Sequence, residues 1–186
     1  RFFLGDEMAK KGVDLRFRAE LHRIERRYDV LRVTLRDGTQ FEADVVLAAT
    51  GRGPNTAGLG LGEAGVALDA NGAVVVDEHY QSNVPSVHAL GDVTHRLQLT
   101  PVALAEAMVL VDRLFGSGHR RMDYELIPTA VFTHPGVATV GLTEAQARER
   151  HGTVRIYRSD FRALKHTLSG SDERTLMKLL VDDASD

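Results

Sequence analysis

Apolar positions along this chain fall into short runs that alternate or are continuous, and into a few longer stretches with helical spacing. Phe2 to Lys11 has helical spacing, and Val102 to Phe115 carries charge only at Glu106, Asp112 and Arg113. The second stretch therefore predicts a helix that is apolar over most of its circumference and packed inside a domain. Thr100 is its expected N-cap, Pro101 fits the first helical position, and Gly116 marks its end. Asp14 to Glu20, Val30 to Arg36 and Thr39 to Ala49 read as strands, with Asp37-Gly38 as a tight hairpin turn between the last two. The apolar run Phe41 to Ala49 leads into the turn-rich segment Thr50-Gly51-Arg52-Gly53-Pro54-Asn55-Thr56. Further on come a turn at Asn71-Gly72, a strand over Ala73 to Val76, and a strand over Ser86 to Leu90 that ends at Gly91-Asp92. From Met122 the pattern is strand, turn, strand, then a helix opened by a Thr143-x-x-Gln146 capping box, then strands near Val154 to Arg158 and Arg174 to Val181.

The chemistry concentrates where the strand ending at Gly91 meets the helix after Thr100. A glycine lets a ligand approach the backbone closely, and a carboxylate at the carboxyl end of a strand can accept hydrogen bonds from sugar-like hydroxyls. The N-terminus of the following helix offers unpaired N–H groups and partial positive charge to a group that becomes anionic.

Three segments in order carry a family resemblance: Ala49-Thr50-Gly51-Arg52-Gly53-Pro54-Asn55, then Ala89-Leu90-Gly91-Asp92, then Leu99-Thr100-Pro101-Val102-Ala103. Together they resemble the pyridine nucleotide-disulfide oxidoreductases that use FAD, and the last is most similar to the glutathione reductases among them. Ile127 to Pro135 and Thr139 to Glu144 look like the opening of that family's dimerisation domain, and Phe161 to Gly170 with Asp172 to Leu179 is similar to bacterial and plant glutathione reductases. The resemblance implies a mixed α/β and α+β fold in three pieces. Residues 1–51 would end an NADPH-binding domain, 52–121 would be the returning segment of the FAD-binding domain, and 122–186 would begin the dimerisation domain. It also implies that Asp92 holds a ribityl hydroxyl of FAD, that Gly91, Leu99 and the Thr100 N–H lie at the flavin, and that Gly51, Gln98 and Ala130 lie near NADPH. The implied reaction passes a hydride from NADPH to FAD and electrons onward through a cysteine pair to glutathione disulfide, in a cytoplasmic homodimer serving redox homeostasis.

Composition limits that reading. The 186 residues contain no cysteine, and thiol–disulfide exchange requires a thiolate, so no catalytic residue is expected within this chain. It reads as a segment of a longer protein, the family's cysteine pair and acid–base histidine falling outside it; His134-Pro135 matches an earlier structural turn. Met108 stands eight residues after Thr100, where some glutathione reductases carry an arginine that reaches the substrate. An apolar thioether cannot pair a carboxylate, so a dihydrolipoamide dehydrogenase or mercuric reductase type stays open as an alternative. So does a non-catalytic dimerisation or binding module.

Other classes find little support. The net charge is −3, and the clusters Arg23-Ile24-Glu25-Arg26-Arg27 and Arg148-Glu149-Arg150 mix signs, which suits solvated faces rather than nucleic acid. The eight histidines are scattered without a metal-ligand spacing, and no apolar run approaches the ~20 residues of a membrane span. No Gly-x-Ser-x-Gly elbow points to a serine hydrolase.

Overall fold

The computed structural model describes residues 2–185. The chain folds as two units, one built from residues up to 48 together with those from 128 onward, the other from residues 49–127. Helices and strands both contribute, and every ladder among the described residues is antiparallel.

The first unit opens with α1 (Phe2–Lys10) and a three-stranded meander of β1 (Leu21–Arg27), β2 (Val30–Leu35) and β3 (Gln40–Ala43). The hairpin turn at Asp37-Gly38 forms as expected, with Gly38 at φ +86° and Asp37 Oδ1 accepting the Thr39 N–H at 2.9 Å. Central β2 buries Val33 and Leu35. The first strand is not where the pattern placed it. Arg18 takes a left-handed φ of 58° inside the expected 14–20 strand, and pairing begins only at Leu21. The mixed-charge run 23–27 is that strand: period-two spacing puts Arg23, Glu25 and Arg27 on one face, where Glu25 Oε1 lies 3.0 Å from Arg23 and 3.6 Å from Arg27. The expected long strand to Ala49 stops at Ala43, because among the described residues no strand pairs with the backbone beyond it; Val45 and Leu47 are exposed.

Its later part holds the short hairpin β4 (Thr129–Val131) and β5 (Val137–Thr139), α3 (Glu144–His151), β6 (Val154–Arg162), the short α4 (Lys165–Ser169) and β7 (Arg174–Asp182). β6 and β7 pair over their full lengths, from Val154 with Asp182 to Arg162 with Arg174. Helix α3 opens with the predicted capping box, Gln146 N–H to Thr143 Oγ1 and Thr143 N–H to Gln146 Oε1. Ala147 of α3 is buried, and Lys178 of β7 reaches Glu144 at 2.7 Å. Helix α1 is tied to β7 by Glu7, which is 3% exposed: its Oε1 accepts from Lys10 at 2.7 Å and its Oε2 from the Arg174 N–H at 3.0 Å. Burial pushes the Glu7 carboxyl up, but the hydrogen bonds from Lys10 and Arg174 and the Lys10 charge outweigh it, and the net shift is downward.

In the second unit regular structure is sparse. Its long element is α2 (Thr100–Phe115), preceded by a single 3-10 turn over Gly91–Thr94. The strands expected at 73–76 and 86–90 make only isolated bridges, Leu68 with Val74 and Gln81 with His88. The Asn71-Gly72 turn forms, held by Asp69, whose Oδ1 accepts from the N–H groups of Asn71 and Ala73. Val66, Ala73, Val74, Tyr80 and Val102 make the small apolar core.

Candidate functional site

Helix α2 begins one residue earlier in its cap than the pattern suggested. Leu99 is the N-cap, with extended φ and ψ and no side-chain capping bond, and Thr100 is the first helical residue. A leucine side chain cannot cap, and although the Leu99 carbonyl accepts from the Val102 and Ala103 N–H groups, the Thr100 N–H has no acceptor among the described residues. The expected burial of α2 is also corrected. Leu104, Met108, Val111, Leu114 and Phe115 are exposed, whereas the stripe facing the unit contains Val102 and, one turn on, Glu106. The most buried side chain of an apolar helix is thus its carboxyl, 1% exposed.

Glu106 is buried because it has partners on both oxygens. Oε2 accepts the Gly91 N–H at 2.7 Å, and Oε1 accepts the Tyr124 hydroxyl at 2.6 Å. Since the Tyr124 proton is committed to Glu106, Tyr80, whose hydroxyl lies 3.1 Å away, donates to the Tyr124 oxygen, as Arg96 does at 3.3 Å. The Arg96 guanidinium lies over both rings, 5.4 Å from Tyr80 and 5.8 Å from Tyr124, and its Nη2 donates to the Asp77 carbonyl at 2.8 Å. Burial, then the hydrogen bond to Glu106, pushes the Tyr124 phenol well above its ordinary range.

The same bond fixes the Gly91-Asp92 turn. Gly91 has φ +69°, and a Cβ there would stand 3.1 Å from the Cβ of Ala103 on α2. Glycine is required first so that turn and helix can touch; the space a side chain would take belongs to the helix, not to a ligand. Asp92, next in sequence, is exposed, with Arg52 Nη1 3.9 Å from its Oδ2. A pair this long and this solvated holds Asp92 only weakly. Leu99 is half-buried, and Gln98 has its Nε2 buried without a hydrogen-bond partner among the described residues. Gly51 is exposed at φ +111° with open space around it.

The structure therefore gathers Gly91, Asp92, Leu99 and Thr100 around the start of α2, with Gln98 adjoining in sequence. Ala130 belongs to the other unit, where it pairs with Ala138 and is exposed. Glu106, Tyr124, Tyr80 and Arg96 were not anticipated from sequence. The available signal was a single acid, Glu106, four residues after Val102 on the stripe that the helix turns inward. Beyond Tyr124 lies an open cleft of about 540 Å³, lined by Arg96, Arg113, Arg120 and Arg121. No cluster of metal-ligating side chains occurs among the described residues, and no helix is long and apolar enough to cross a membrane.

Comparison with known proteins defines the class. Residues 1–107 match the model of the pyridine nucleotide-disulphide oxidoreductases, and residues 127–186 match that of the same group's dimerisation domain. The chain belongs to the pyridine nucleotide-disulphide oxidoreductase family. Among particular proteins, it is similar to a glutathione reductase of Burkholderia cepacia, 48% identical over the whole of this chain and 41% of the relative. It is also similar to the chloroplastic/mitochondrial glutathione reductase of Pisum sativum, 46% identical over 77% of this chain and 26% of the relative. A trypanothione reductase of Trypanosoma congolense is 38% identical over 98% of this chain and 37% of the relative. Among solved structures, an HOCl-induced flavoprotein disulfide reductase from Escherichia coli superposes with a TM-score of 0.85 at 33% identity, covering 96% of this chain and 42% of that one. The chain thus spans about two-fifths or less of the length of these relatives.

Proposed function

We propose that this chain is part of a flavoprotein disulfide reductase that uses FAD and NADPH to reduce glutathione disulfide, acting as a cytoplasmic homodimer in redox homeostasis. Glutathione reductases among the similar proteins support the substrate, and the match of residues 127–186 to a dimerisation domain supports the dimer. In this reading residues 1–51 end the NADPH-binding domain, 52–121 return to the FAD-binding domain, and 122–186 open the interface domain.

The observation that carries the proposal is the open start of α2 beside an immobilised turn. The residues present fit a flavin: among the described residues the Thr100 N–H lacks an acceptor, and Asp92 is exposed with only a long contact to Arg52. Bound FAD supplies a hydride acceptor that passes electrons on singly or in pairs. Asp92 would accept hydrogen bonds from ribityl hydroxyls, and Gly91 would fix the backbone from which Asp92 projects. The Thr100 N–H and the partial positive charge of the α2 start would favour negative charge on the flavin, with half-buried Leu99 beside them. Gly51, Gln98 and Ala130 are assigned to the nicotinamide nucleotide. No thiol is present, so the cysteine pair that meets the disulfide is supplied from outside these residues.

Flavin content tests the assignment directly. Asp92→Ala in the full-length holoprotein is expected to lower FAD retained through purification, and a variant with wild-type flavin stoichiometry would contradict it. Substrate is decided by a panel of glutathione, trypanothione and lipoamide disulfides, because Met108, exposed on α2, cannot pair a substrate carboxylate. Turnover fastest with glutathione disulfide supports the proposal; turnover confined to another disulfide moves the protein elsewhere in the family.

A further inference from the structure

The hydrogen bond between the Gly91 N–H and Glu106 points to a further role: we infer that Glu106 is a positioning residue for the flavin-binding turn, with Tyr124 holding it in place. This rests on the proposed flavin site, and extends it to a side chain that itself stays out of reach of any ligand.

A turn of one glycine and one aspartate has many conformations open to it, and among the described residues Asp92 has only a 3.9 Å contact to an exposed Arg52 to orient it. The direction in which Asp92 projects is therefore set by the backbone at Gly91. That backbone is held by three features: φ +69°, contact with Ala103, and the N–H donated to Glu106 Oε2 at 2.7 Å. The Thr94 hydroxyl closes the turn from the other side by donating to the Gly91 carbonyl at 2.8 Å. A carboxyl on a flexible side chain would be a poor anchor, but Glu106 is not flexible. It is 1% exposed, and its second oxygen is occupied by Tyr124, which is fixed in turn by Tyr80 and Arg96. Hydrogen bonds in such a buried chain reinforce one another, and one to a carboxylate is stronger than one between neutral groups. Glu106 also sits on α2 itself, so the turn and the first turns of the helix are locked as one piece. The distance between Asp92 and the Thr100 N–H, the two groups assigned to the same cofactor, is thereby set.

The test uses the full-length holoprotein, its FAD removed and titrated back. Glu106→Leu, nearly isosteric but without an acceptor, is expected to raise the FAD dissociation constant about tenfold. Glu106→Gln keeps an acceptor for the Gly91 N–H and can donate to Tyr124 by rotation of its hydroxyl, so it is expected to stay within about threefold of wild type. Because Glu106 acts through Asp92, Glu106→Leu in an Asp92→Ala background is expected to add less than about twofold, a non-additivity that general destabilisation would not produce. Full additivity, or equal losses from leucine and glutamine, would overturn the inference. Should Glu106→Leu fail to fold, Tyr124→Phe takes its place, with about threefold weaker FAD binding expected and unchanged binding counting against the role. If the wild-type protein itself takes up no FAD, it is the flavin reading that falls.

Discussion

Replacing Gly91 by alanine separates two reasons for the glycine, backbone conformation and packing. At φ +69° an L-residue pays conformational strain of about 1–2 kcal/mol. The new Cβ would also stand 3.1 Å from the Cβ of Ala103, closer than ordinary carbon–carbon contact, so turn and helix must part by a few tenths of an ångström. Overpacking of that kind adds about 1–2 kcal/mol, giving a total of about 2–4 kcal/mol. Gly72→Ala is the control within the same unit. Its φ is +82°, but the nearest atom to the new Cβ is Thr56 Oγ1 at an ordinary 3.6 Å. The gain from a less flexible unfolded chain is common to both and cancels in the comparison. Urea unfolding at pH 7, followed by far-UV circular dichroism, should therefore show Gly91→Ala the less stable of the two by about 1–2 kcal/mol. A cycle with Ala103→Gly should recover most of that difference, since it removes the opposing methyl. Equal destabilisation of the two alanine variants, or no coupling to Ala103, would refute the close packing of turn on helix.

Acid provides a second test. Glu7 is held below its ordinary value of 4.5, so its contribution to stability is full above that pH and is lost as pH falls through the lower, folded value. The urea midpoint of the unit containing α1 should fall between about pH 5 and pH 3, and Glu7→Gln should be less stable at pH 7 with a flatter dependence below pH 5. A slope unchanged by Glu7→Gln would assign the acid sensitivity to other carboxyls. Thr143→Ala removes one half of the α3 capping box and should destabilise by about 1 kcal/mol, read from the same urea curves. The 186-residue chain alone, lacking any thiol, should show no NADPH-dependent reduction of glutathione disulfide, and measurable turnover would contradict the division of labour proposed above.

Local signals proved legible wherever one residue type suffices for the geometry. Asp37-Gly38, Asn71-Gly72 and the Thr143–Gln146 capping box were readable because each turn or cap is closed by atoms within a few residues. The ordered segments around Gly51, Gly91 and Leu99 likewise carried the family. Strand positions were less legible, for two different reasons. Arg18 breaks the expected first strand by a backbone choice its sequence does not announce, and the apolar run after Ala43 has strand composition without a strand beside it. Helix α2 shows a third kind of failure. Its apolar residues suggested burial all round, yet Leu104, Met108 and Val111 face outward and a glutamate faces inward. Glu106 is stable there only because Gly91 and Tyr124, 15 and 18 residues away, supply its two donors. Such an arrangement depends on tertiary contact and leaves no periodic trace.

The Gly91 N–H also makes the turn observable. A proton shared with a buried carboxylate at 2.7 Å should resonate downfield of the other glycine amides in a nitrogen–proton correlation spectrum and exchange slowly with solvent. Its acceptor is carried by α2, so solvent reaches this amide only when the turn leaves the helix. The rate at which its signal fades in heavy water therefore measures how often the corner proposed to face the flavin comes apart, before any cofactor is added.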